Sequence, residues 1–514
     1  MQHGVVAAGH AATADAAGEI LRAGGNAFDA AVGAIAAACV AEPVLASLGG
    51  GGFLLALEAD GTARLYDFFV QTPRQRRREA EIDFRPVLAD FGTVTQEFHI
   101  GLGATAVPGM PQGIARAHAA LGRLPLTEVL APAIALARAG VTTTPFQAFL
   151  FQVVAPIYLA EASSRALFGS TSQPGDLTQT GDTLTNPDLA DALDLLAREG
   201  ARPFYEGEAA AVLLEAARAG GHLTADDLAG YAVAMREPLE IVHSGARILT
   251  NPPPSCGGLL IGFALRLLDG LDLAGDGFGA AAHLLPLARA MAATNKARVD
   301  SGLADGGDGA AAALLDPAFA QAYRAQVLDR PAAPRGTTHI SVVDAAGNAA
   351  AASLSNGEGC GHVLPGLGYM PNNMLGEEDL NPRGFHRWPA DARLASMMAP
   401  TALEIDGRRA VLGSGGSNRI RTAIPQVLLG LIDFGLAPEA AVMAPRLHVE
   451  RGRLDVEPGL DPDGVAALTD AFPDHTVWPD LNLFFGGVHL AAQRPDGSGT
   501  AAGDPRRDGA VAVV

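Results

Sequence analysis

Residues 330–344 bring together what a threonine nucleophile needs. Arg330-Pro331-Ala332-Ala333-Pro334-Arg335-Gly336 carries two prolines, a glycine and no apolar periodicity, which is linker composition. It runs directly into Thr337-Thr338-His339-Ile340-Ser341-Val342-Val343-Asp344, a β-rich run. If the Gly336–Thr337 bond were cut, Thr337 would present a hydroxyl and a free α-amine on one residue. A threonine hydroxyl is a weak nucleophile until a base takes its proton, and an α-amine titrating near ~8 is suited to that task. Glycine before the cut tolerates backbone geometry that other residues resist.

Other chemistries find little support. The chain has a single lysine, Lys296, in Asn295-Lys296-Ala297-Arg298, which reads as an ordinary helix face and not as a Schiff-base site. No GxxxxGK[ST] string is present, and none of the glycine runs has the GxGxxG spacing between a strand and a helix. Three cysteines form no CxxC pair, and the thirteen histidines include no HxxxH or HExxH. No GxSxG elbow occurs. No metal and no cofactor are therefore expected. The net charge of −20 repels phosphate backbones, so nucleic acid is not an expected partner. The apolar, charge-free stretches 30–41 and 43–57 fall short of the ~18 residues of a membrane span. The chain begins without a cationic stretch and an apolar h-region, so a cytoplasmic location is the expectation.

The elements that must position Thr337 follow from pattern. Helical spacing over 11–23 ends at Gly24-Gly25, and Asn26 can cap a second helix through about residue 41. After Ser47-Leu48-Gly49-Gly50-Gly51-Gly52-Phe53, a hairpin is expected over 54–68 with its turn at Asp60-Gly61. Residues 107–221 alternate helical segments with Gly/Pro breaks, and 259–299 reads as further helix. From Thr337, one strand turns at Ala345-Ala346-Gly347-Asn348 into a second that reaches Ser355. Further hairpins are expected at Ile405-Asp406-Gly407-Arg408 and Asp496-Gly497, and strands are otherwise expected only near the two ends and the middle of the chain. With 48% hydrophobic residues over 514, this is an α/β protein whose helices cover stacked sheets.

In order along the chain, Ile20-Leu21-Arg22-Ala23-Gly24-Gly25-Asn26-Ala27-Phe28-Asp29-Ala30-Ala31, the glycine run, Asn251-Pro252-Pro253-Pro254-Ser255, Thr337-Thr338-His339, Asn372-Asn373, Met398-Ala399-Pro400-Thr401, Gly413-Ser414-Gly415-Gly416-Ser417 and Asp504-Pro505-Arg506-Arg507 resemble the γ-glutamyltranspeptidase family of N-terminal nucleophile hydrolases. The resemblance implies a four-layer αββα sandwich and a precursor that cleaves itself between Gly336 and Thr337. Residues 1–336 and 337–514 would then stay associated as large and small subunits. It also implies that Thr337 attacks an amide carbonyl of a small-molecule or peptide substrate and passes the acyl group to water or an amine. Gly415 and Gly416 would form the oxyanion hole, where each fixed donor is worth ~3 kcal/mol. Ser355 would orient the Thr337 amine, and His339 would be a structural partner in the strand. The rival expectation is a chain that never cleaves and keeps the fold as a binding scaffold.

The acyl-donor clamp departs from the family pattern. The family's carboxylate-binding arginine falls in an Asp-Phe-Arg block that reads Asp67-Phe68-Phe69 here, which puts Phe69 in its place. The paired serines read Ala395-Ser396. The family's asparagine aligns with Gly357, beside Asn356, its glutamine with Met374, and its aspartate with Glu377, while Asn373 is kept. Phe69, Asn356, Asn373, Glu377 and Ser396 are thus the expected substrate-facing residues. Facing a carboxylate with phenylalanine in place of a bidentate arginine costs on the order of several kcal/mol. The acyl group is therefore expected not to be γ-glutamyl unless Arg74 or Arg393 substitutes. The short segment 373–395 also implies an open pocket without the capping loop of some family members.

Overall fold

Alternation along the strands of the two large sheets divides their apolar residues between two cores. The computed structural model describes residues 2–90, 95–303, 310–316, 319–320, 323, 337–381 and 383–514, so the linker and Gly336 lie outside it. Two sheets are built from β1 (Gly4–Ala8), β2 (Gly51–Leu57), β3 (Ala63–Phe68), β4 (Ala234–Arg236), β5 (Leu239–His243), β6 (Ala246–Thr250), β7 (Thr338–Asp344), β8 (Ala349–Ser355), β9 (Thr401–Ile405), β10 (Arg408–Gly415), β11 (Gly487–Gln493), β12 (Gly499–Ala502) and β13 (Ala510–Val513). The seven-stranded sheet runs β13-β1-β7-β8-β2-β3-β4 and the six-stranded sheet β12-β11-β10-β9-β6-β5. Every pairing within them is antiparallel. Strand β1 lies between β7 and β13, so the start of the chain is inserted between two strands from its second half.

On β2, Leu54 and Ala56 point one way and Phe53, Leu55 and Leu57 the other; on β8, Ala350, Ala352 and Leu354 oppose Ala349 and Ala351. The first set packs under helices α1 (Ala11–Arg22) and α2 (Ala27–Ala41). The second faces Val411 and Ala491 of the other sheet, which share a face with Gly413 and Gly415, while Leu412, Val488 and Leu490 lie on that sheet's outer face; all belong to a core shared with α3 (Gly257–Leu268), α4 (Ala281–Asp300) and α5 (Ile420–Ile432). Helices thus lie on the outer face of each sheet, and the inner faces meet.

Helix α2 is buried along all fifteen residues, the expectation for a helix that is apolar all round. Asn26 caps its N-terminus as read from the sequence, and the structure makes the cap reciprocal: the Asn26 side chain accepts from Phe28 and Asp29 N–H, and Asp29 accepts from Asn26 N–H. At that end Asp344 Oδ2 accepts from Ala27 N–H at 3.0 Å, and at the other end Thr338 Oγ1 donates to Glu42 Oε2 at 2.5 Å. Fifteen helical residues and seven strand residues both span about 22 Å, so α2 pins β7 at its two ends.

One sequence expectation needs correction. Residues 259–299 are not one helical stretch: α3 and α4 are separated by a turn with left-handed glycines at 270, 277 and 279. Strands β5 and β6 form a hairpin through Ser244-Gly245, in the middle of the chain where strands were expected. Among the described residues no helix is long and apolar enough to cross a membrane.

Candidate active site

Thr337 stands one residue ahead of β7, and register fixes what surrounds it. Thr338 pairs with Leu354, which sets Thr337 beside Ser355 one step further, and Ser355 pairs in turn with Gly51. Because Thr338 faces α2, Thr337 and His339 face the second sheet. Thr337 is 5% exposed. His339 is held by Ser353 Oγ at 2.8 Å and Ser341 Oγ at 3.0 Å. Since Ser341 gives its own proton to the His489 carbonyl, its Oγ accepts from His339 Nε2–H. Burial drives this imidazole well below its usual range, so it is neutral and structural, in line with the sequence reading.

Across the gap, β10 ends at Gly415. Gly416 follows at φ 110° and Ser417 at φ 50°, a left-handed pair that turns the chain into α5. A methyl group on Gly415 would collide with the Thr337 carbonyl oxygen and come within 3.2 Å of Arg507 Nη1. Glycine is what lets this backbone approach the threonine. The 504–507 turn that carries Arg507 is held by Asp504, which accepts from Arg446 Nη2 at 2.7 Å, Val488 N–H at 2.8 Å and Arg506 Nη1 at 3.2 Å.

On the other side, Ser355 Oγ accepts from Gly357 N–H at 3.1 Å, and the Cβ position of Gly357 lies against Asn373 Oδ1 and Glu377 Oε1. Ser355, Asn373 and Glu377 therefore gather around one turn beside Thr337. Asn373 Oδ1 accepts from Glu358 N–H at 2.8 Å and Gly359 N–H at 3.1 Å, and its Nδ2 donates to the His99 carbonyl at 3.3 Å. Asn373 shapes the turn. Asn356, on the opposite face from Ser355, donates to the Met370 carbonyl at 3.3 Å, and its buried Oδ1 has no hydrogen-bond partner among the described residues.

The other two expected clamp residues are tied up elsewhere. Phe69 is 1% exposed and stacks on Phe53 at 5.5 Å in the core between the sheets. Ser396 Oγ accepts from Met398 N–H at 3.0 Å, and its carbonyl accepts from Ser255 Oγ at 2.7 Å. Both arginines expected as replacements are paired with other groups. Arg393 donates to the Phe69 and Ala232 carbonyls and the Tyr231 hydroxyl, and lies 3.7 Å from buried Asp67. Arg74 pairs with Asp391 at 3.4 Å against Gly230.

Glu42 escaped the sequence reading. It is fully buried, accepts among the described residues from the Thr13 and Thr338 hydroxyls alone, and burial pushes its carboxyl up to about 7 from 4.5. Only its position, at the polar end of an apolar helix, could have singled it out. A carboxyl that binds its proton more tightly in the folded state contributes stability in full below about pH 4.5 and loses it as pH rises through 7. Relative to Glu42→Gln, the wild-type protein is expected to lose on the order of 3 kcal/mol between pH 4.5 and 8. Urea unfolding of both proteins at the two pH values checks this; parallel changes would refute it.

Among the described residues no cluster of three or more His, Cys, Asp or Glu could hold a metal ion.

The sequence and the fold both have relatives. A family model described as gamma-glutamyltranspeptidase matches residues 13–514. The chain is 33% identical to the acylase ACY 1 proenzyme of Pseudomonas sp. (strain V22), over 99% of this chain and 93% of that one. It is 31% identical to the glutathione hydrolase proenzyme of Escherichia coli (strain K12), over 98% and 90%. The crystal structure of cephalosporin acylase from Bacillus halodurans superposes with a TM-score of 0.85 at 26% identity, covering 99% of this chain and 96% of that one. Helicobacter pylori gamma-glutamyltranspeptidase gives a TM-score of 0.54 at 28% identity over 62% of this chain and 90% of that one.

Proposed function

Because the chain belongs to the γ-glutamyltranspeptidase family and is an amide-bond hydrolase or acyltransferase of the N-terminal nucleophile type, we propose that Thr337 is its nucleophile, freed by self-cleavage after Gly336. The observation that carries this reading is the convergence of Thr337, Ser355 and Gly415, from three strands of two sheets, at one buried point. The products of the cut, residues 1–336 and 337–514, remain together in one four-layer αββα body, a reading supported by the two facing sheets and the helices outside each.

In the reaction, the Thr337 α-amine takes the hydroxyl proton and Oγ1 adds to the substrate carbonyl. The amide C–N bond breaks as the amine returns the proton to the leaving nitrogen. The resulting ester passes its acyl group to water or an acceptor amine. Gly415 and Gly416 stabilise the oxyanion by backbone N–H donation, and Ser355 orients the amine. The acyl pocket is the turn at Gly357 with Asn373 and Glu377, and no arginine stands where the family binds a carboxylate.

Intact mass and N-terminal sequencing of the full chain test the reading without a choice of substrate. Two species, the smaller beginning at Thr337, are expected. A chain that stays whole on long incubation would leave Thr337 without its amine and favour a binding scaffold.

A further inference from the structure

We propose that Arg507 is the buried positive charge that stabilises the oxyanion formed when Thr337 attacks, acting as a positioning residue through the Gly415–Gly416 backbone. This rests on the reading of Thr337 as nucleophile.

Arg507 ends the short turn Pro505–Arg507, and its stem covers Gly487: Cβ, Cγ and Cδ each lie 2.7 Å from where a Gly487 Cβ would stand. That lays the guanidinium along the glycine pair. Nη1 is 3.2 Å from the Cβ position of Gly415, which also abuts the Thr337 carbonyl, and Nη2 is 3.1 Å from that of Gly416. The group is 4% exposed.

Its partners do not match its burial. Among the described residues Nε has no hydrogen-bond partner, and Nη2 makes one long bond, to the Leu483 carbonyl at 3.5 Å. Its neighbours behave otherwise. Arg506 is paired with Glu457 at 2.5 Å and Asp504 at 3.2 Å, and Arg446 with Asp504 at 2.7 Å. Among the described residues no carboxylate lies within 4.0 Å of Arg507, and Asp504 and Glu358 act on it only through space. Burial lowers its pKa to about 10, so it stays a cation at neutral pH. A buried cation short of a counter-ion is stabilised whenever negative charge arises beside it. The charge that arises here in a catalytic cycle is the oxyanion at the glycine pair.

Phenylboronic acid is the probe. Its boron takes a lone pair from Thr337 Oγ1 while the hydroxyl proton goes to the α-amine, giving a tetrahedral anion that mimics the intermediate without expelling a leaving group. Its Kd is measured by calorimetry on the processed wild type and on Arg507→Met and Arg507→Lys, both of which keep a stem over Gly487. Melting temperatures report folding. The expected result is about tenfold or greater weakening in Arg507→Met and recovery to within about threefold in Arg507→Lys, with similar melting temperatures. A precursor halted by Met and released by Lys counts as the same result. Wild-type affinity in Arg507→Met, or equal loss in both variants, would overturn the proposal. If the wild type binds the boronate no better than Thr337→Ala, the nucleophile reading itself fails.

Discussion

In the Thr337→Ala variant the chain is expected to stay a single 52.5 kDa species indefinitely, and amide turnover is expected to fall by about 10⁴-fold or more. Both losses have one origin, because the hydroxyl that would open the Gly336–Thr337 bond is the same one that would later attack substrate. Folding should be spared. Thr337 precedes β7, and β7 is anchored by Thr338 at Glu42 and by Asp344 at Ala27, neither of which the substitution touches. A melting temperature close to the wild type would therefore accompany the inactive, uncut chain. Thr337→Ser, which keeps hydroxyl and amine, should still cleave. An alanine variant that divides at the same bond would remove Thr337 from the mechanism.

The second large effect concerns the acyl group. γ-Glutamyl-p-nitroanilide is expected to show kcat/KM at least about tenfold below that of butanoyl-p-nitroanilide, which has the same chain without the α-amine and carboxylate. The physical reason is the loss of a cation. Phe69 stands in the arginine's place, and Arg393 and Arg74 are committed to Asp67 and Asp391. The naive repair should also fail. Phe69→Arg would put a charge into a core position 1% exposed and stacked on Phe53, so it is expected to destabilise the fold by several kcal/mol, at about the scale of other unpaired buried charges, without restoring γ-glutamyl turnover. A γ-glutamyl anilide cleaved faster than the butanoyl compound would refute the donor prediction. A Phe69→Arg protein of undiminished melting temperature would refute the packing argument.

Much of the frame around Thr337 is written locally. Gly24-Gly25-Asn26 marks where α1 stops and α2 begins, and the structure adds Asp29 to the cap. The Gly347-Asn348 turn and the alternation after Thr337 give β7 and β8, and with them the pairing that brings Ser355 to the nucleophile. What stayed hidden is decided by partners distant in sequence. The place of the β5–β6 hairpin in its sheet is set by β6 pairing against β9, about 150 residues on. That Phe69 packs inward and Asn356 turns away from Ser355 depends on Phe53 and Met370, which no local pattern names. Arg507 stood out only as part of the Asp504–Arg507 block and Glu42 not at all, because burial without a counter-charge is a property of the fold.

The insertion of β1 between β7 and β13 has a bearing on reversibility. In the intact precursor that ladder forms within one molecule, with closure opposed only by the entropy of a long loop. Once the bond before Thr337 is broken, β1 and its two neighbours belong to different polypeptides, and the same sheet can be rebuilt only by a second-order encounter. The uncut chain is thus the form able to find its native state at any dilution, whereas the mature enzyme, after denaturation, would recover at a rate set by fragment concentration. Cleavage then fixes a history: the catalyst can be made efficiently only once, through its precursor, and its lifetime is governed by how slowly it opens.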